Sequence, residues 1–495
     1  MEIQKNTLNL ISSMTMNEKR HFKIFFQKIN FGSQNKYLII FDLINKYGKI
    51  DEVLIKEQLN DYEYSIKNIS YDINYLNKLI LRALNDFHSE KTISLKVKEN
   101  LKSIEILFYK GLYNECLKLI NKAKKICAKN ENLSLTLELL SWEKKCSGYS
   151  FGLQAAQEVN EKVDVYIDKL VENRLITDLY YKSYLIKNSI GKTSNKKINT
   201  QIIEIIDNET IKNFKIENNS IQTQIFYKLI FANYYHVTED STKELLFLEQ
   251  ASEITNNNNY YKKENPLDYI SIFIRIIDIY KKSNNNTFYD KINELRNFEN
   301  ILDFQKEVSI ERIFIHTNQA ELDFLIFNND IENAKIKMND LIKKLNHNKF
   351  NIEPYHYIAI YYQFSAINLL QTEYSQSLKF INKALNEFKL NERPNTYIKS
   401  EILNIVIHFK LKNHKLVLYC FENFNKKYKK IYKLSFIEKN LLNTILKISQ
   451  NPLSTNTKNE FNKLLEKINL KKNKPESVSD KILHYFILRN ILKSI

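Results

Sequence analysis

The residues that could do chemistry in this chain of 495 amino acids are few and widely spaced. Gly191, Lys192 and Thr193 match the end of a phosphate-binding loop, in which backbone N–H groups and a lysine hold nucleotide phosphates. The first glycine of that motif would have to stand at position 186, where the chain has Ile186, and the segment before it has a helical pattern. We therefore interpret the match as chance.

Histidine and cysteine are the other residue types that could support a metal site or a nucleophile. His408 and His414 are six residues apart and so point to different faces of a helix. None of the paired spacings of zinc sites occurs among the four cysteines, Cys116, Cys127, Cys146 and Cys420. The sequence therefore predicts no metal, no cofactor and no enzymatic activity, and the cysteine usage fits a reducing compartment.

Two stretches rich in lysine and tyrosine, at residues 180–187 and 425–433, are the best local candidates for nucleic-acid binding. Lysine screens phosphate and tyrosine stacks on bases, and the formal net charge is +17. The alternative is a solvated helix face with half-buried tyrosines. Only 8 of the 74 basic residues are arginine, the side chain that grips phosphate and guanine bidentately, so the charge fits compositional drift as well as a binding surface.

The backbone that must position these residues is predicted to be nearly all helix. The chain holds 6 glycines and 5 prolines, far below the usual ~7% and ~5%, and a sheet protein needs more turn glycines than that. The chain is longer than a single compact hydrophobic core usually accommodates, which indicates several domains or an extended array.

A helix-turn-helix unit is clearest at residues 98–129. Gly111 lets the chain reverse, Tyr113 fills the space under the turn, and Cys116 and Ala123 are small where two helices must cross closely. The phrase CLKLINKA at 116–123 returns as SLKFINKA at 377–384, which indicates a repeated unit.

This pattern resembles the tetratricopeptide repeat (TPR) superfamily, in good register near residues 98–129 and 357–389 and by helical pairing over about 92–450. The resemblance implies a right-handed superhelix whose concave face, made by the first helices, holds a peptide or a partner helix. A second resemblance, in layout alone, is to bacterial regulators that join an amino-terminal helical domain to a helical-repeat peptide sensor.

One TPR subclass grips a carboxyl-terminal carboxylate with lysine and asparagine on first helices, and this chain departs from that clamp. The matching positions carry Leu101 and Glu105 in one unit. In the other unit they carry Tyr362 and Ala366. The resemblance instead suggests an apolar and aromatic groove, or deeper packing against the next repeat. The candidate partner-binding residues are Leu101, Glu105, Tyr109, Tyr362 and Leu369.

The two ends of the chain are predicted to be separate elements. In residues 1–90, Thr15 and Glu18 form a capping box, and a regular apolar stripe from Ile66 to Phe87 needs a partner inside the domain or on another chain, which makes a homo-oligomer conceivable. The helix at 71–82 could instead enter a nucleic-acid groove. Residues 471–495 form a basic linker and a capping helix that closes the stack or docks on a partner or membrane.

The predicted fold class is all-α: a TPR-like helical-hairpin solenoid over 91–470, with an amino-terminal helical domain at 1–90 and a capping segment at 471–495. No secretion signal or transmembrane segment is recognisable, so we expect a cytoplasmic protein. The leading hypothesis is a non-enzymatic scaffold that binds a protein or peptide partner. The alternative is a nucleic-acid-associated or peptide-responsive transcriptional regulator that uses the amino-terminal helices.

Overall fold

The computed structural model describes residues 2–29, 36–59, 69–128, 131–188, 195–281, 287–302, 306–347, 354–387, 394–429, 432, 434–452 and 457–470. Within these residues it contains α-helices, two short 3-10 helices at Ile216–Asn218 and Phe298–Ile301, and no β-strand. The predicted all-α class is confirmed. Ile66, the Gly191–Thr193 match and the predicted capping segment at 471–495 lie outside the described residues.

The helices are α1 Glu2–Ser13, α2 Met16–Ile29, α3 Lys36–Tyr47, α4 Glu52–Gln58, α5 Ile69–His88, α6 Ile93–Tyr109, α7 Tyr113–Cys127, α8 Leu133–Phe151, α9 Leu153–Asn188, α10 Asn195–Ile206, α11 Glu209–Lys212, α12 Ile221–Val237, α13 Ser241–Asn257, α14 Asn259–Glu264, α15 Pro266–Tyr280, α16 Thr287–Asn297, α17 Lys306–Phe327, α18 Ile331–His347, α19 Pro354–Leu370, α20 Tyr374–Asn386, α21 Pro394–Lys410, α22 His414–Tyr428, α23 Phe436–Gln450 and α24 Thr457–Leu470. Most pack against their neighbours in sequence.

The chain divides into two compact units, Met1–Asp164 and Val165–Ile495. The first unit contains two hydrophobic cores, one built from residues 11–83 and the other from residues 97–146. The amino-terminal helices therefore have a core of their own, whereas the predicted boundaries at residues 90 and 470 stay predictions.

Helix α5 is the centre of the amino-terminal core. Ile73, Leu76 and Ile80 are fully buried, and the helix packs against α1, α2 and α3. The described part of the predicted apolar stripe, from Ile69 to Ala83, therefore packs inside the same unit, and a homo-oligomer through this stripe stays a prediction. The predicted capping box is confirmed: Thr15 N–H donates to Glu18 Oε2 over 2.7 Å, and Glu18 N–H donates to Thr15 Oγ1 over 3.3 Å.

Five helical hairpins within the described residues share one turn. In each, a single residue with left-handed backbone ends the first helix, and the N–H of the next residue bonds to the carbonyl five positions earlier over 2.8–3.1 Å. This is the Schellman arrangement, which satisfies the last carbonyls of a helix. The left-handed residues are Gly111, Glu239, Asn329, Thr372 and Lys412.

The second helices of these hairpins share a register counted from the turn residue. The fifth and twelfth residues after it are buried against neighbouring helices in all five. They are Cys116 and Ala123, Glu244 and Ala251, Ala334 and Leu341, Ser377 and Ala384, and Val417 and Phe424. The hairpins therefore repeat in backbone geometry although only some carry the small side chains that the sequence pattern requires.

The two hairpins recognised from the sequence cross in the same way. The Cys116 thiol approaches the Ile104 carbonyl oxygen at 3.4 Å, and the Ser377 hydroxyl donates to the Ser365 carbonyl oxygen over 2.8 Å. Each contact is buried and joins one residue of the first helix to a residue of the second helix that is twelve positions later in the sequence. A small polarizable or hydroxyl side chain at this point lets the helix axes approach closely.

Candidate partner-binding surface

An aromatic cluster centred on Phe108 occupies one end of the α6, α7 and α8 helices in the first unit. The Phe108 ring lies 5.4–5.6 Å from the rings of Tyr113, Trp142 and Tyr149, mostly edge to face. Tyr113 and Tyr149 stack at 5.2 Å with an interplanar angle of 17°. Such ring contacts add stabilisation beyond burial alone, and we call these four residues the aromatic platform.

Six large apolar side chains at the carboxyl-terminal ends of α6 and α8 and at the starts of α7 and α9, with Tyr149 of the platform among them, face solvent. Leu153 is 87% exposed and Tyr109 is 78% exposed, and the other four are each more than two-fifths exposed. We call this set the apolar patch; it consists of Ile106, Tyr109, Leu112, Tyr149, Phe151 and Leu153. Exposed apolar side chains that are concentrated at one set of helix ends indicate an interaction site, whereas single exposed leucines do not.

The patch continues into a cleft between α8 and α9. Gly152 connects the two helices with φ +90° and ψ 178°, a conformation that is essentially restricted to glycine. The cleft has a volume of about 540 Å³ and is lined by residues that include Lys145, Gly148, Tyr149 and Leu153. Its two walls are joined where Lys144 Nζ donates to Asn160 Oδ1 over 2.7 Å.

Three lysines lie beside the patch: Lys110 follows Tyr109 in the chain, and Lys144 and Lys145 line the cleft. Lys110, Lys144 and Lys145 are exposed, and among the described residues none of them forms an ion pair. Lys145 Nζ lies 4.5 Å from the Trp142 ring centre, a cation–π contact that holds the ammonium beside the aromatic platform. The acidic neighbour on α6 is Glu105, which is also exposed. The surface thus offers apolar contact area bordered by lysines.

The five partner-binding residues predicted from the sequence fall into two groups. Leu101, Tyr362 and Leu369 are buried in hydrophobic cores, as the packing alternative anticipates. Glu105 and Tyr109 face solvent, and Tyr109 belongs to the apolar patch. Leu101, Glu105 and Tyr109 belong to the first unit, and Tyr362 and Leu369 belong to the second.

Sequence reasoning missed Tyr149, Phe151 and Leu153. Their signal is a run of apolar residues on both sides of Gly152, at a point where one helix ends and the next begins. Apolar residues at such a junction usually pack inward, and the sequence does not show that these three have no neighbouring helix to cover them.

The cysteines of the first unit are buried and poorly suited to nucleophilic chemistry. Burial raises the pKa of the Cys127 thiol to about 11 and that of the Cys146 thiol to about 12. A thiol with so high a pKa stays protonated at neutral pH, and the thiolate is the nucleophile and metal ligand. In the part of the chain that the structure describes, no three His, Cys, Asp or Glu side chains converge as a metal site would require.

Comparison with known proteins gives little. No family model matches the chain, and no solved structure matches it. The chain is 24% identical over 447 residues to Protein Ycf2 of Physcomitrium patens, covering 77% of this chain and 19% of that protein. It is 24% identical over 342 residues to Reticulocyte-binding protein homolog 1 of Plasmodium falciparum (isolate 3D7), covering 60% of this chain and 11% of that protein.

The chain thus spans less than a fifth of the length of these curated relatives, and neither likeness carries a function. None of the helices that the structure describes is both long enough and apolar enough to span a membrane.

Proposed function

We propose that this protein is a non-enzymatic, cytoplasmic interaction protein of TPR-like architecture that binds a protein partner on the apolar patch. The observation that carries the proposal is the concentration of six exposed apolar side chains at the helix ends that carry the Phe108 cluster. The five hairpins with one shared turn support the TPR-like assignment, because a repeated hairpin is the unit of that superfamily.

The chemistry of the patch favours a particular kind of partner. Tyrosine, phenylalanine and leucine bury large areas at low conformational cost, which suits the insertion of apolar anchor residues from a helix or an extended segment. The lysines beside the patch complement carboxylates that flank those anchors. Such a partner gains affinity from apolar burial and orientation from the charges.

The test compares two charged substitutions at exposed aromatic residues. Phe151→Asp alters the apolar patch, whereas Tyr419→Asp alters α22, where Tyr419 is 63% exposed. Each tagged full-length variant is recovered from its own cells, with nuclease treatment and at high salt. We expect one stoichiometric protein with the unaltered chain and with Tyr419→Asp, and at least a tenfold loss with Phe151→Asp.

The thermal unfolding of both variants serves as the control for folding. Equal recovery with Phe151→Asp, at an unchanged melting temperature, contradicts the proposal. Recovery of nucleic acid that is lost on nuclease treatment or at high salt instead supports the alternative regulator, because phosphate contacts weaken steeply with salt.

A further inference from the structure

Helix α9 exposes an apolar stripe within the second unit. On one face Ile176 and Leu179 are buried, and Ser183 accepts a hydrogen bond from Asn233 Nδ2 of α12 over 2.9 Å. The opposite side carries large apolar side chains in solvent. These are Ile167, Val171, Leu175, Tyr181 and Leu185, each between 44% and 67% exposed.

The spacing of the stripe is that of a helix that packs along another helix. Steps of four residues place Ile167, Val171 and Leu175 along one side, and Leu185 lies on the same side ten residues after Leu175. Arg174, Asp178 and Lys182 lie on this side between the two apolar ends of the stripe. From Ile167 to Leu185 the stripe is about 27 Å long at 1.5 Å per residue. An amphipathic helix normally buries such a stripe, and here the other helices of the unit leave it exposed.

The order of residues along the stripe is complementary to itself in the antiparallel direction. With a two-fold axis at position 176, Ile167 of one helix faces Leu185 of a second copy, and Val171 faces Tyr181. The same symmetry brings Arg174 opposite Asp178, so opposite charges meet twice near the axis. Within the helix, Asp178 Oδ2 already accepts from Lys182 Nζ at 2.7 Å.

Arg174 is the exposed cation that this pairing uses. Among the described residues it forms no ion pair within 4 Å, although, together with the hydrogen bond from Lys182, its charge lowers the pKa of Asp178 one turn further along the same helix. Asp178 is about half exposed on the same side of the helix. An antiparallel arrangement also sets the amino-terminal end of one helix dipole beside the carboxyl-terminal end of the other. An interface in which one patch meets itself about a two-fold axis is the commonest form of protein dimer.

We propose that the exposed face of α9 from Ile167 to Leu185 binds the same face of a second copy of this chain, antiparallel, with Arg174 of each copy paired with Asp178 of the other. The dimer is independent of the apolar patch, so either proposal stands without the other.

Sedimentation of the full chain measures the mass. We expect about twice the 59.1 kDa of one chain, falling towards one chain on dilution.

Val171→Glu should give the single-chain mass, because it places like charges in both halves of the interface. The matched control is Val308→Glu on α17, since Val308 and Val171 are 55% and 54% exposed. A single-chain mass for the unaltered protein at the highest attainable concentration overturns the proposal, as does a dimer that Val171→Glu leaves intact.

Disulfide cross-linking tests the register in a Cys420→Ser background, since the other three native cysteines are buried. Leu175→Cys lies next to the axis and should cross-link to itself under mild oxidation. Ile167→Cys alone should remain a single chain, because it faces Leu185, and the double substitution Ile167→Cys with Leu185→Cys should cross-link. Self-linking of Ile167→Cys would indicate a parallel pair and contradict the proposal.

Discussion

Glu244 shows how a single buried charge fixes a hairpin of the second unit. Its carboxylate accepts hydrogen bonds from Arg275 Nη2 at 3.0 Å and from His236 Nδ1 at 2.9 Å, which joins α12, α13 and α15. Burial alone would raise the pKa of Glu244, but the bonds from His236 and the nearby Arg275 charge outweigh it, and the pKa lies below its ordinary value. The ionised carboxylate is therefore part of the folded state.

Replacing Glu244 with glutamine should destabilise the protein. The substitution leaves the largely buried Arg275 without its carboxylate, and breaking a buried ion pair costs about 3 kcal/mol. Chemical denaturation at pH 7 measures the loss. Glu253→Gln on the same helix is the control, because Glu253 is exposed and its replacement should change stability by less than about 0.5 kcal/mol.

The ion pair between Glu244 and Arg275 also predicts how the free energy of unfolding depends on pH. A carboxyl whose pKa is lowered by folding contributes stability above its unfolded pKa of 4.5, and that contribution disappears as the pH falls through the lower folded value. The difference in unfolding free energy between the unaltered chain and Glu244→Gln should therefore shrink below pH 4.5. A difference that stays constant down to the acid limit of folding would show that the ion pair is not its cause.

At the scale of the helical elements, four of the five shared turns hold a residue other than glycine in left-handed backbone. Thr372 has φ +63°, an unfavourable conformation for a β-branched residue. Thr372→Gly should stabilise the protein by about 1 kcal/mol, because glycine adopts this conformation without strain. The melting temperature measures the gain. Thr444→Gly inside α23 is the matched control and should lose stability instead, because glycine is a poorer helix former than threonine.

The junction of α8 and α9 gives a second prediction at this scale. Gly152→Ala should cost about 1–3 kcal/mol and reduce partner recovery, because a side chain strains the backbone that positions Phe151 and Leu153. Gly148→Ala, four residues earlier, is the control: its Cβ would lie 3.5 Å from the Ala156 Cβ, an ordinary contact. Equal stability and equal recovery for the two variants would show that Gly152 does not position the patch.

A glycine in the turn makes a hairpin recognisable from the sequence, and turns without glycine are harder to locate. Gly111 marks its turn directly, and the phrase at 377–384 reveals a second hairpin by similarity. At Glu239, Asn329 and Lys412 the same turn is present without glycine, so helical pairing over about 92–450 was predicted there but the turns themselves were not located. Asparagine adopts left-handed backbone more readily than most residues, whereas tertiary packing holds Glu239 and Lys412 in a conformation that they do not prefer by themselves.

At the scale of the whole molecule, composition was sufficient to predict an all-α chain, since a chain with so few glycines cannot make the turns of a large sheet protein. The candidate surface was not predictable to the same degree. Tyr109 was identified from the repeat register, whereas Phe151 and Leu153 emerge only when the described helices leave them uncovered. The exposure of a residue depends on which neighbouring helices pack against it. The periodicity of the sequence shows only on which face of its own helix the residue lies.

Photo-cross-linking in living cells is the most direct test that a protein partner binds the apolar patch of the first unit. A photoreactive phenylalanine analogue replaces Phe151 in one strain and Tyr419 in another; both positions are exposed. If the partner binds the patch, we expect a discrete cross-linked protein at position 151, identified by mass spectrometry, and no such product at position 419. The absence of any product at 151, or the same products at both positions, would contradict it.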